Sequence, residues 1–200
     1  MSRPTLSTRQ TLLLRVRDPH DETSWEEFCE LYRGFILGLC RSMRVAHHDA
    51  EDVTQRVLLK IWKHLRKFEY DERKGSFRSW LGTVTCNLVR TYLKEPKRRE
   101  HPVEDEALVD LVGDGDQLPA EMARMIDKEW KLFVSDRAWQ NVKCDFSDSV
   151  REVFLAMMTG ETAAVVAERF GLQENTVYVY RKRVVHRLQR EIRRLEAELG

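Results

Sequence analysis

The sequence predicts an all-α protein of two small helical domains joined by an acidic linker, the second domain containing a helix-turn-helix. Apolar residues recur at helical spacing through most of the 200 residues, whereas the alternation typical of strands is rare. Charge is uneven, because residues 1–100 carry a net charge of +6 and residues 149–200 of +2, while residues 101–148 carry −7. We therefore expect one domain over 1–100, a linker over 101–120 and a second domain over 121–200.

Composition excludes several classes of protein. With 34% charged and 42% hydrophobic residues, the chain has a globular rather than a disordered composition. It has no apolar run long enough to cross a membrane and no signal peptide, so we expect a cytoplasmic protein without membrane insertion. The four cysteines are scattered singly, which predicts reduced, mostly packing residues. We find no catalytic, phosphate-binding or metal-binding constellation, and expect neither enzymatic activity nor a cofactor.

The first predicted helix covers the stretch "TSWEEFCELYRGFILGLCRSM". Trp25, Phe28, Phe35 and Leu39 are among its apolar residues at helical spacing. Thr23 or Ser24 is the expected N-cap.

The second predicted helix, over 49–68, begins with "DAEDVTQRVLLKIW", which places three acids in four positions. Asp49 is in a position suited to an N-cap, and acids in a first turn favour the helix dipole. An apolar stripe serves core packing, and a second face combines acids, a glutamine and large apolar groups. That face is either a partner surface or a second buried face of a three-helix bundle, and spacing alone leaves both open. Its residues are Glu51, Asp52, Gln55, Leu58, Leu59 and Trp62.

A polar loop over 69–76 separates this helix from a third, which starts at Phe77 and ends before Pro96. The basic cluster "KEPKRRE" follows. Residues 101–120 hold two prolines, two glycines and six acids, as expected of a linker. Helical periodicity resumes near Glu121. The segment up to residue 148 predicts an extra helix that covers the C-terminal domain.

The stretch at 159–192 predicts a helix-turn-helix. Gly171 permits a tight turn between a short helix and a longer one that begins near Glu174. In such a motif the second helix enters the major groove with its early exposed residues facing base edges. Those residues are Asn175, Tyr178, Val179 and Lys182, and the arginines suited to phosphates are Arg181, Arg183, Arg187 and Arg190.

With these stretches taken together, the chain resembles a bacterial sigma factor of the extracytoplasmic-function (ECF) group of the sigma-70 family. The stretch "DAEDVTQRVLLKIW" is similar to the region 2 helix that grips the RNA polymerase clamp. The stretch "FRSWLGTVTCNLVRTYLKEPKRR" is similar to the promoter-melting and minus-ten-reading helix. The stretch "AAVVAERFGLQENTVYVYRKRVVHRL" is similar to region 4, which reads the minus-thirty-five element. Gly82 and Thr83 depart from the aromatic and basic pair of many members.

The resemblance implies promoter DNA, core RNA polymerase (its beta-prime clamp and beta flap) and an anti-sigma factor as partners. It assigns loop 69–76 to base trapping and the acidic segment to the inter-domain linker. It implies core-polymerase contacts from Asp49, Glu51, Asp52, Gln55, Leu58 and Trp62. It implies minus-ten contacts from Trp80, Asn87, Arg90, Lys94, Lys97 and Arg98. It implies minus-thirty-five contacts from Asn175, Thr176, Tyr178, Val179, Lys182, Arg183 and Arg187.

Two alternatives to a sigma factor account for part of the sequence. A stand-alone helix-turn-helix regulator explains 159–192 but not the 49–62 face or the aromatic and basic helix at 77–99. A protein-interaction module, such as an anti-sigma antagonist, leaves the two basic ends unexplained. Purified core polymerase discriminates the three hypotheses, because only a sigma factor confers promoter-specific initiation on it.

Overall fold

The computed structural model describes residues 8–18, 20–65, 76–94 and 119–199. Within these ranges the chain forms helices joined by short turns and contains no strand. This confirms the all-α prediction. No helix in the described ranges is both long and apolar enough to span a membrane. The described ranges contain eight α-helices: α1 (Thr8–Arg15), α2 (Glu22–Ser42), α3 (His47–Leu65), α4 (Phe77–Lys94), α5 (Ala120–Val142), α6 (Asp148–Met158), α7 (Ala163–Phe170) and α8 (Glu174–Leu199). A 3-10 turn, Lys143–Asp145, follows α5.

The described residues divide into two compact units, and the division falls inside α5. The first unit extends to Phe133 and includes Glu198 and Leu199, and the second is Val134–Ala197. The boundary expected from composition lies about fifteen to thirty residues earlier, in the acidic linker. Most of that linker, residues 101–118, lies outside the described residues.

Helix α2 begins at a cap that differs from the expected one. The Asp21 side chain accepts a hydrogen bond from the Ser24 backbone N–H at 2.9 Å, so Asp21 is the N-cap. Thr23 and Ser24 lie inside the helix, and Ser24 is buried. The prediction of Thr23 or Ser24 was wrong because several cap-forming residues are adjacent, and spacing alone does not choose among them.

Aromatic side chains from α2 and α4 form the centre of the first unit. The rings of Phe28 and Tyr32 are 4.8 Å apart, and the Tyr32 and Phe77 rings are 5.3 Å apart in an edge-to-face arrangement. All three side chains are fully buried. Such pairs add to the free energy of burial, so they fix α4 against α2. Helix α1, which is not among the predicted elements, adds buried Leu12 and Leu13 to the first unit.

The first half of α5 packs on α2 and α4, which corrects the expectation that this segment covers the C-terminal domain. Trp130 is fully buried, and its ring meets Phe35 edge-on at 5.2 Å. Ile126 lies against Gly82 in α4. The expectation was wrong for this half only, since Trp139 and Val142 in the second half of α5 do pack within the second unit. An amphipathic pattern shows which face of a helix is apolar but not which partner covers it.

In the second unit, α6, α7 and α8 pack around small aliphatic residues. The buried cluster includes Val153 from α6, Val166 from α7 and Val177 from α8. Phe154 stacks at a tilt on Trp139 of α5, with ring centroids 5.3 Å apart. This packing leaves the early part of α8 exposed on its other side.

Candidate protein and nucleic-acid interfaces

Helix α3 starts two residues earlier than its acids suggest. The Ala46 carbonyl accepts hydrogen bonds from the backbone N–H groups of Asp49 and Ala50, at 2.9 and 3.0 Å. Asp49 is therefore in the first turn rather than at the N-cap, which corrects the predicted cap. It still favours the helix dipole from that position, and its carboxylate lies 3.4 Å from the His48 imidazole.

The inner face of α3 is buried and includes one residue that was expected outside. Val53, Val57 and Ile61 are buried, as predicted, and so is Leu58 at 7% exposure. Leu58 cannot serve as a contact on the outer face. Its neighbour Leu59 is 53% exposed and is the apolar residue that the outer face presents.

The outer face of α3 combines carboxylates with apolar surface. Asp52, Gln55 and Leu59 are exposed at positions i, i+3 and i+7, so they lie on one side of the helix. Asp52 pairs with Arg56 at 2.8 Å within the same helix. Beside them, Trp62 is partly buried.

Two contacts join this outer face to α2. The Glu51 carboxylate pairs with Arg33 at 2.6 Å, and the Trp62 ring lies 6.4 Å from that of Trp25. Both contacts fix outer-face side chains without burying them completely. We therefore define the α3 outer face as Asp49, Glu51, Asp52, Gln55, Leu59 and Trp62.

Helix α4 carries a stripe of aromatic, amide and basic side chains along the side turned away from the core. The i+3 and i+4 spacing puts these residues on one face of the helix. Trp80 and Asn87 are partly buried, whereas Arg90 and Lys94 are exposed. The α4 stripe consists of Trp80, Thr83, Asn87, Arg90 and Lys94.

Part of the predicted minus-ten surface cannot be compared with the structure. Lys97 and Arg98 lie outside the described residues, as do residues 69–75 of the predicted base-trapping loop. The described stripe ends at Lys94 in the last turn of α4. A cation at that end of a helix also favours the helix dipole.

A tight turn in the second unit joins α7 to α8. Gly171 has φ 63° and ψ 35°, a left-handed conformation that costs a glycine little and other residues more. The Leu172 N–H donates to the Ala167 carbonyl at 2.8 Å and closes the end of α7. At the start of α7, the Thr162 hydroxyl accepts from the Val165 N–H at 3.4 Å. Gly171 thus occupies the position that the sequence predicted for the turn.

The first half of α8 exposes most of the predicted base-contacting residues. Tyr178 and Val179 are 53% and 54% exposed. Asn175 and Lys182 are also exposed, and Thr176 is partly buried. Val177 and Val184 face the core of the unit and fix the rotation of the helix. Arg183 is exposed, with its guanidinium 5.8 Å from the centre of the Phe146 ring.

Arg187 differs from the other predicted phosphate contacts because acids hold it. Its guanidinium pairs with Asp145 at 2.9 Å and with Glu191 at 3.3 Å. Glu191 is buried at 6% exposure, and it also accepts hydrogen bonds from Arg194 and Asn141. These partners, Arg194 first, lower the pKa of Glu191 to about 2. The geometry therefore gives Arg187 a structural role in the unit, and its assignment to phosphate binding stays a prediction.

The environment of three of the four cysteines indicates a packing role rather than a reactive or metal-binding one. Cys40 and Cys86 are buried, and burial raises the pKa of the Cys86 thiol to about 12. Burial also raises the pKa of Cys29 to about 11. A thiol with a raised pKa is a poor nucleophile and metal ligand at neutral pH. Cys144 is exposed, and no cluster of metal-ligating side chains occurs among residues the structure describes.

Comparisons with known proteins match part of the first unit. The profile of the family described as Sigma-70 region 2 matches residues 28–99. The ECF RNA polymerase sigma factor SigG of Mycobacterium tuberculosis is 36% identical over 88 residues, which are 43% of this chain and 23% of that protein. SigE of Mycolicibacterium smegmatis, another ECF RNA polymerase sigma factor, is 29% identical over 98 residues, 49% of this chain and 34% of the relative.

A third relative extends the match along the chain. The probable RNA polymerase sigma factor RfaY of Xanthomonas campestris is 28% identical over 132 residues, 64% of this chain and 30% of that protein. The matched part of the chain thus spans about a quarter to a third of each relative's length. No solved structure gives a significant match. Residues 28–99 therefore resemble Sigma-70 region 2, and the relatives named above that share this resemblance are RNA polymerase sigma factors, two of them of the ECF group.

Proposed function

We propose that the chain is a sigma factor that binds core RNA polymerase and directs promoter recognition, promoter opening and transcription initiation. The observation that carries this proposal is the α4 stripe, which lies on the exposed side of a helix within the region 2 match. An aromatic ring, an amide and two cations follow one another along it. A reader of duplex DNA alone has no need for such a surface on a second helix.

The α4 stripe has the kinds of side chain that bind single-stranded DNA. Unpaired bases stack on aromatic rings, and cations follow the phosphates. Trp80 supplies a partly exposed ring at one end, and Arg90 and Lys94 supply cations at the other. Between them the Asn87 amide can both donate to and accept from a base edge. The stripe therefore fits capture of the minus-ten strand after opening, with Lys97 and Arg98 as further proposed contacts.

The α3 outer face fits a contact with core polymerase, on the beta-prime clamp. Leu59 and Trp62 supply apolar anchors, and the surrounding carboxylates supply charge that selects a basic partner and its register. Arg33 already holds Glu51 in place at 2.6 Å, so that carboxylate is oriented before a partner arrives. Asp52 and Gln55 are exposed beside Leu59 and complete this surface.

The pair α7 and α8 fits the role of a helix-turn-helix that reads the minus-thirty-five element. In that motif the early residues of the second helix contact base edges in the major groove. Asn175, Tyr178, Val179 and Lys182 are exposed there. Contacts of this unit with the beta flap, control by an anti-sigma factor and action in the cytoplasm are further parts of the proposal. The polymerase supplies the chemistry of RNA synthesis, and this chain supplies binding.

Core binding tests the α3 outer face most directly. We expect Asp52→Lys to weaken binding to purified core polymerase at least tenfold, because a positive charge would replace a carboxylate that faces a basic partner. Glu30→Lys on α2 is the matched control, since it exposes the same charge change on another helix. Binding is measured by fluorescence anisotropy of labelled chain titrated with core, and circular dichroism verifies folding.

The result that contradicts the proposal is a folded Asp52→Lys chain that binds core as tightly as the parent. Equal weakening by Glu30→Lys would also contradict it, because the effect would then come from net charge rather than from this face. Salt titration separates the two explanations further, since a general charge effect decreases steeply as ionic strength increases.

A further inference from the structure

The contact between α5 and α4 depends on a missing side chain. A Cβ atom added to Gly82 would lie 2.6 Å from Cγ2 of Ile126 and 3.0 Å from its Cγ1 and Cδ1 atoms. Contacts below 3.0 Å require one of the two groups to move. Gly82 is fully enclosed in α4, and Ile126 is buried. The absence of a side chain at position 82 therefore creates the hollow that Ile126 fills.

Aromatic packing extends this contact along α2. The Phe133 ring lies 6.0 Å from Phe35 and 5.5 Å from Trp130, so three rings form one cluster. A Cβ atom added to Gly34 would lie 3.5 Å from Phe133, which is ordinary contact. Trp130 is fully buried in this cluster, so its whole ring contributes to the contact of α5 with α2.

Polar contacts fix the register of α5 on the same surface. The Ser42 hydroxyl donates to Glu129 at 2.7 Å, near the end of α2. Asp127 pairs with Arg78 at 3.4 Å, near the start of α4. The first half of α5 is thus attached to both helices by apolar and polar contacts together.

The docked segment avoids both proposed interfaces. On α2, the residues that meet α5 include Gly34, Phe35, Gly38 and Ser42. Arg33 and Cys40, by contrast, contact α3. On α4, Arg78 and Gly82 meet α5, and the α4 stripe lies on the opposite side at helical spacing. Core binding and DNA binding can therefore occur with α5 in place.

We propose that residues 120–133 are a constituent helix of the region 2 domain and position α4 through Ile126 at Gly82. The second half of α5, from Val134, then belongs to the second unit. The docking of residues 120–133 on α2 and α4 is argued from the packing alone. The functional importance of positioning α4 rests on the proposed function. Gly82 also acquires a physical reason, because an aromatic or any other side chain at this position would displace α5.

The docking is tested in the full chain by cutting it between α4 and α5. A specific protease site is introduced at 109–112, the folded chain is cleaved, and dissociation of the two fragments is followed on dilution. We expect the cleaved parent to remain associated. Gly82→Ala should weaken the association about tenfold or more, because overpacking displaces Ile126. Ile126→Ala should also weaken it, by loss of buried surface.

The double variant Gly82→Ala with Ile126→Ala should recover part of the loss, since truncation removes the atoms that the new methyl group meets. Two matched controls should associate as the parent does. Gly34→Ala adds a methyl at an ordinary contact distance, and Leu132→Ala removes an exposed side chain of α5. Separation of the cleaved parent, or strictly additive losses in the double variant, would overturn the docking.

Positioning is tested with the same uncleaved variants and core polymerase. Gly82→Ala should bind core as the parent does but form fewer open complexes, measured by permanganate reactivity of thymines, with partial rescue in the double variant. Unchanged opening by Gly82→Ala would overturn the positioning of α4. If the parent chain binds no core, the proposed function fails instead, and the fragment experiment still decides the docking.

Discussion

At the scale of single residues, two neighbouring leucines in α3 separate packing from recognition. Leu58 is buried in the first unit, and Leu59 is 53% exposed on the α3 outer face. A side chain's contribution follows its environment rather than its type, since burial and not chemistry differs between them. The sequence could not distinguish them, because both lie near the edge of the apolar arc and consecutive residues are only 100° apart on a helical wheel.

We predict opposite effects of the two truncations. Leu58→Ala should lower the free energy of unfolding by about 2–5 kcal/mol, because it leaves a cavity in the core. Leu59→Ala should change it by no more than about 0.5 kcal/mol, as for other exposed positions, but should weaken core binding. Urea denaturation with tryptophan fluorescence measures the first effect. Equal stability of the two variants would place Leu58 outside the core.

At the scale of elements, α8 has two parts with different tasks. Its early residues are exposed around Tyr178 and Lys182, whereas Arg187 is held by Asp145 and Glu191 further along. The basic residues of α8 therefore do not form one continuous phosphate-binding surface. Exposure leaves the first part available to a partner, and ion pairing fixes the second part within the unit.

Substitutions in the two parts of α8 should have different consequences. Lys182→Ala or Tyr178→Ala should change which upstream sequences are used, at roughly 1–3 kcal/mol for each lost base contact. Arg187→Ala should instead destabilise the second unit, because Glu191 is buried and loses a partner. A promoter library measures the first effect and thermal unfolding the second. A folded, equally stable Arg187→Ala chain with uniformly weaker promoter binding would return Arg187 to phosphate contact.

Helix positions followed from periodicity, but helix ends did not. Apolar spacing predicted α2, α3, α4 and α5 because each buries one face, and Gly171 correctly marked a turn. The caps at Asp21 and Ala46 were missed, since each depends on backbone geometry within one or two residues. Helix α1 was missed because its eight residues are too few to show a clear period.

At the scale of the whole molecule, the charge pattern and the three stretches that resemble sigma-factor regions indicated a class of protein, but not the way the chain is divided. The contact of Ile126 with Gly82 joins residues 44 positions apart. Nothing in the sequence around either residue predicts that they meet. The acidic composition of 101–120 indicated a linker between domains, whereas α5 returns to the first unit before it enters the second. Long-range packing of this kind decides domain boundaries and is absent from local pattern.

The central claim is that this chain gives core RNA polymerase its choice of promoter. The most direct measurement is transcription by purified core from a library of random promoter templates, with and without the chain, followed by sequencing of the transcripts. We predict start sites that require the chain and share two separated sequence elements, one for each unit. Start sites that are the same with and without the chain, while the chain alone binds duplex DNA specifically, would contradict the account and identify a stand-alone helix-turn-helix regulator.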